Sequence, residues 1–114
     1  MVEDLITRMF EARNGAHLAH WKTDSFSKHE SLGEFYEGVI DILDRYVEAN
    51  MGGFGVIGKV EGEVEDPIQM VHDDLVWLTE NREKITKGVP ALGNILDELT
   101  GLHMKTLYKL QNLR

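Results

Sequence analysis

The sequence predicts an all-α fold: a four-helix bundle of two antiparallel hairpins joined by a long crossover, in a single domain over residues 1–114. Three observations carry this reading. Apolar residues recur at three- and four-residue spacing through four separate stretches. Short polar or Gly/Pro punctuation separates the first stretch from the second and the third from the fourth. A glycine-rich segment over residues 52–65 lies between the middle two.

The first helix is expected over residues 3–22, where Ile6, Phe10, Arg13, His17 and His20 share one stripe with Leu5, Met9, Ala12 and Ala16 beside it. Residues 23–27 form a polar turn, in which Ser27 and Glu30 have the spacing of a capping box. A second helix then runs from about Lys28 to Met51, with Leu32, Phe35, Tyr36, Val39, Ile40, Leu43, Tyr46 and Val47 inward. Five glycines (52, 53, 55, 58 and 62) mark the crossover, interleaved with Phe54, Val56, Ile57, Val60 and Val64 in a partly extended connection. Asp66, Pro67 and Gln69 read as N-cap, first helical residue and capping partner of a third helix ending near Thr86. Lys87-Gly88-Val89-Pro90 stops it and starts the fourth, whose stripe is Leu92, Ile95, Leu96, Leu99, Leu102, Thr106, Leu110 and Leu113. Gly33, Gly38, Gly93 and Gly101 lie inside helices, where close approach of a neighbour would offset their cost of about 1 kcal/mol each.

Composition narrows the chemistry. A domain of this length buries roughly two-thirds of its unfolded surface, enough for a core without staples. A metal would therefore serve chemistry rather than folding. The absence of Cys excludes disulfides, thiolate zinc sites, Fe–S clusters and cysteine nucleophiles. With 12 Lys plus Arg against 20 Asp plus Glu, the formal charge of -8 repels a phosphate backbone, so no nucleic-acid partner is expected. No signal peptide or membrane span is legible, which makes the cytoplasm the expected compartment.

Three of the five histidines fall within thirteen residues: His17 and His20 on one face of the first helix, and His29 at the start of the second. The second helix carries Glu37, Asp41, Asp44 and Glu48 as a carboxylate stripe. Glu37 and Asp41 read as a solvated face, whereas Asp44 and Glu48 border the apolar arc near Ile40, Val47 and Met51. Carboxylates beside an apolar surface need partners or a cation. His29 and Asp44 are fifteen residues apart, about 22 Å along one helix, so one chain cannot bring both to the same ion. Two such helices packed antiparallel about a two-fold axis would set the His end of each against the carboxylate end of the other. His72 and His103 read as structural, with His103 held in reserve as a ligand. No histidine follows a Glu by three residues, which disfavours a di-iron site inside the bundle.

The connectivity is that of a ferritin-like bundle. The string His20-Trp21, His29, Asp44 and Glu48 resembles the ferroxidase signature of the Dps family of mini-ferritins. In that family a His-Trp pair closes the first helix, a second His opens the next, and an Asp and a Glu follow by fifteen and nineteen residues. The resemblance covers residues 5–52 and implies iron ligands His20 and His29 from one chain with Asp44 and Glu48 from its two-fold partner, Trp21 lying beside the site. His17 would add a ligand or orient His20. The loop between His20 and His29 is shorter than the family's, the crossover has no small helix and no basic tail exists, so the dodecameric cage, bulk storage and DNA binding are not carried over. The chain is also similar to short ferritin-like proteins of tailed bacteriophages, through residues 16–23 and 34–38.

The expected function is therefore binding of Fe(II) at a dimer interface, with ferroxidase activity using O₂ or peroxide. Manganese or zinc would suit the same ligands. A homodimer or higher homo-oligomer is expected. The competing expectation is a non-catalytic dimeric helical interaction protein that keeps the fold.

Overall fold

Each helix start and stop traces to local chemistry. In the computed structural model, which describes residues 1–113, the elements are α1 (Val2–Lys22), α2 (Phe26–Phe54), α3 (Pro67–Thr86) and α4 (Pro90–Asn112). Among the described residues there are four helices and no strand. None of these helices is long and apolar enough to cross a membrane. The chain divides into two compact units, one over Met1–Glu63 and one from Val64 onward. Each is a helical hairpin with a short turn.

In the first unit, α1 and α2 pack together across the turn at residues 23–25. The cap of α2 is Ser25, whose hydroxyl accepts from the Lys28 N–H at 3.3 Å. The expected capping box at Ser27 and Glu30 is not used; the Ser27 hydroxyl lies 3.3 Å from that of Ser25 instead. Starting the helix at Phe26 leaves a turn short enough to hold residues 20 and 29 against each other. The far end of α2 also runs past its expected stop at Met51. Gly52 and Gly53 remain helical, and Gly55, at φ 87°, ends the helix in a conformation open to glycine.

Ile6, Leu43 and Val60 form the buried centre of this unit, with Val2, Leu5, Met9, Val47 and Ile57 against it. Each fully buried aliphatic side chain contributes about 1.5–3 kcal/mol relative to exposure. Val60 and Ile57 belong to the crossover, so that segment folds back onto α1 and α2. It is tied down by the Glu3 carboxylate, which accepts from the Gly58 N–H at 2.8 Å. That bond holds the Glu3 carboxyl below its ordinary range.

In the second unit, the Asp66 carboxylate accepts from the Gln69 N–H at 3.0 Å and Pro67 opens α3, as the sequence predicts. Thr86 ends the helix, and Lys87 takes the left-handed conformation at φ 56°. Leu78 and Thr86 are buried. Arg82 reaches across to α4, where its Nε and Nη2 donate to the two oxygens of Asp97 at 2.8 and 3.0 Å. A Cβ on Gly93 would stand 2.6 Å from that guanidinium, so a side-chain approach accounts for this glycine. Gly33 is explained in the same way, whereas Gly38 and Gly101 border open space.

Candidate metal centre

The end of the first hairpin places His20 in the last turn of α1 and His29 in the first turn of α2. The final carbonyls of an α-helix have no intrahelical donor, and that of His20 is one of them. It accepts from the Nδ1 of His29 at 2.8 Å. Reciprocally, the Nδ1 of His20 donates to the carbonyl of His29 at 2.6 Å. The two rings stack with centroids 3.6 Å apart and planes 20° apart.

This arrangement sets the tautomers. A carbonyl oxygen can only accept, so each Nδ1 carries the proton and each neutral ring keeps its lone pair on Nε2. Histidines that bind metals are oriented in this manner, by a second nitrogen donating to a carbonyl or carboxylate. Because the rings stack, their in-plane lone pairs do not converge on one ion. The pair offers two separate nitrogen donors.

His17 stands in an aromatic stack. Its ring lies between Trp21, at 4.1 Å, and Tyr36, at 3.9 Å and nearly parallel, and meets the His20 ring edge-on at 6.2 Å. Among the described residues it makes no hydrogen bond to His20; the His29 carbonyl orients that ring instead. Arg13 extends the column, with its guanidinium carbon 5.4 Å from the Tyr36 centroid. Burial in this stack, followed by the nearby Arg13 charge and His20, pushes the His17 pKa down, against a smaller opposing pull from Glu37. Neutral imidazole is the favoured form. Trp21 remains 67% exposed beside the histidines.

Asp44 and Glu48 are exposed on α2, far along the helix from His29. Asp44 stands at the rim of a groove of about 640 Å³ lined by Ile6, Phe10, Ile40, Leu43, Val47 and Ile57. Within one chain the structure brings His20 and His29 together and leaves both carboxylates apart from them. No group of three or more His, Asp or Glu side chains among the described residues converges as a metal cage. Asp41 makes a solvent-exposed ion pair with Arg45 at 3.9 Å. His72 lies 3.7 Å from Asp73 on the exposed side of α3. His103 donates from Nδ1 to the Leu99 carbonyl at 2.8 Å, with its Nε2 3.9 Å from Asp74 across the second hairpin.

Arg13, Gly33 and Tyr36 were not singled out for the site by the sequence. Their spacing carried a signal: Gly33 and Tyr36 follow His29 by four and seven residues, and Arg13 precedes His17 by four. Each shares a helix face with a histidine. Comparison with curated proteins and with solved structures finds no match. Residues 20–110 match the model of a family described as a family of unknown function (DUF5856), and the chain belongs to that family.

Proposed function

We propose that the protein binds Fe(II) in a ferritin-like, Dps-like manner at a two-ion site shared between two copies of the chain, His20 and His29 each giving its Nε2 to a different ion, and oxidises it with O₂ or peroxide. The observation that carries this reading is the reciprocal hydrogen bonding of His20 and His29, which leaves both Nε2 lone pairs available. Asp44 and Glu48 of a second copy supply the oxygen donors, since the length of α2 separates them from the histidines of their own chain. Imidazole nitrogen with carboxylate oxygen suits Fe(II), and Mn(II) or Zn(II) are accommodated by the same donors. Iron here is substrate, and the carboxylates offset the charge that grows as Fe(II) becomes Fe(III).

The same hydrogen bonds favour a second reading. Each imidazole satisfies a main-chain carbonyl and so clasps the hairpin, which is enough to retain the pair in a non-catalytic dimeric interaction protein. Anaerobic Fe(II) titration followed by air exposure, read by ultraviolet absorbance, separates the two. Saturable binding and an Fe(III) band that H20A/H29A and D44N/E48Q each abolish support the metal reading. Absence of both in the wild type leaves the clasp alone.

A further inference from the structure

We infer that Gly33 is the positioning residue of His20: the missing side chain forms the surface against which the imidazole lies while its Nδ1 donates to the His29 carbonyl. Gly33 follows His29 by one helical turn on the same face of α2. A Cβ there would stand 3.3 Å from Cε1 and 3.4 Å from Nδ1 of His20, closer than carbon atoms ordinarily approach. The contact falls on the edge of the ring that carries the donor.

The ring has little room to retreat. The His29 ring stacks on it at 3.6 Å and Tyr36 meets it edge-on at 5.3 Å. A methyl group at position 33 therefore acts on the 2.6 Å hydrogen bond itself. Once that bond is loosened, His20 loses the contact that holds its proton on Nδ1. The Nε2–H tautomer, favoured by imidazole in water, becomes populated, and in that form Nε2 has no lone pair to give. The converse bond, from His29 to the His20 carbonyl, involves neither atom that the methyl touches. His29 is thus an internal reference. Gly38 lies on the same helix with nothing within 4 Å of its Cβ position, which makes G38A the matched control.

The test uses the full chain, metal-free and at a pH where histidines are neutral, with ¹⁵N-imidazole spectra reporting each tautomer. The expected result is Nδ1–H for both His20 and His29 in the wild type and in G38A. In G33A, His20 should shift towards Nε2–H while His29 does not. The consequence for metal rests on the function proposed above: Zn(II) affinity should fall about tenfold in G33A and hold in G38A. A tautomer shift in G33A with no Zn(II) binding by the wild type supports the positioning role and overturns the metal reading. An unchanged His20 tautomer in G33A overturns the positioning role. Loss of helical structure in G33A alone would also overturn it, because the inference confines the effect to one ring.

Discussion

The two hairpins solve one structural problem with different chemistry. Both join long helices through a turn of three residues, and in both a side chain reaches across over a glycine: His20 over Gly33, Arg82 over Gly93. The second hairpin closes with a charged fork between Arg82 and Asp97, the remaining guanidinium nitrogen donating to Glu83. The first closes with two imidazoles bonded to main-chain carbonyls. Such a bond uses one nitrogen of each ring and leaves the other. A fork only fastens, whereas the imidazole clasp fastens and keeps a donor in hand, which is why the candidate site belongs to the first hairpin.

The largest expected effect separates the hairpins by their cores. Leu43→Ala removes a side chain packed with Ile6 and with Val60 of the crossover, and should cost about 2–5 kcal/mol in urea denaturation. It should also expose the 55–63 segment to protease, because Val60 loses its partner. Leu78→Ala acts on the second hairpin and should leave that segment protected. Equal protease sensitivity in the two variants would break the distinction.

A smaller effect is expected at the closures. His29→Ala leaves the His20 carbonyl to water and should cost about 0.5–1 kcal/mol, with little dependence on salt. Arg82→Met should destabilise the protein less as salt rises, since the fork with Asp97 is exposed and screened. Denaturation of both variants at low and high salt checks this contrast.

The smallest effect is in pH dependence, which has the same sign in the two hairpins and a different range. His17 has a lowered pKa in the folded chain, chiefly from burial, so the unfolded chain binds more protons as pH falls. Stability of the first hairpin therefore declines once pH drops through the ordinary histidine range, about 6.5. Asp97 is lowered by its hydrogen bonds and charge pairing with Arg82. Its contribution is present above the ordinary carboxylate pKa and disappears only as pH falls through the depressed one. His17→Phe should remove the first dependence, and Asp97→Asn the second, in acid denaturation followed by circular dichroism.

Legibility in the sequence followed the range of the interaction. Asp66, Pro67 and Gln69 could be read because a cap is settled within four residues. The spacing of Ser27 and Glu30 pointed to the wrong serine, since Ser25 two residues earlier offers the same hydroxyl and caps α2. The turn brought His20 and His29 near each other on paper, but their bonds to each other's carbonyls depend on the crossing of two helices. The Arg82–Asp97 fork and the side chains over Gly33 and Gly93 were hidden for the same reason. His17 was legible as an added ligand or a group orienting His20; its stacking on Tyr36, seven residues beyond His29, was not, because it depends on how the two helices cross. Asp44 and Glu48 were legible as charges beside an apolar arc, and within one chain they stay exposed and apart from the histidines.

The central claim is that His20 and His29 of one copy act with Asp44 and Glu48 of another, and subunit complementation tests it most directly. H20A/H29A and D44N/E48Q chains each lack half of every shared site, so neither should bind Zn(II) alone. Mixed in equal amounts and allowed to exchange, half of the dimers pair one of each. Every such dimer rebuilds one complete site, which restores about a quarter of the wild-type stoichiometry by two-fold symmetry. Recovery of Zn(II) binding on mixing, measured by isothermal titration, is the predicted result. No recovery on mixing, with exchange verified and the wild type binding Zn(II), would contradict the shared site.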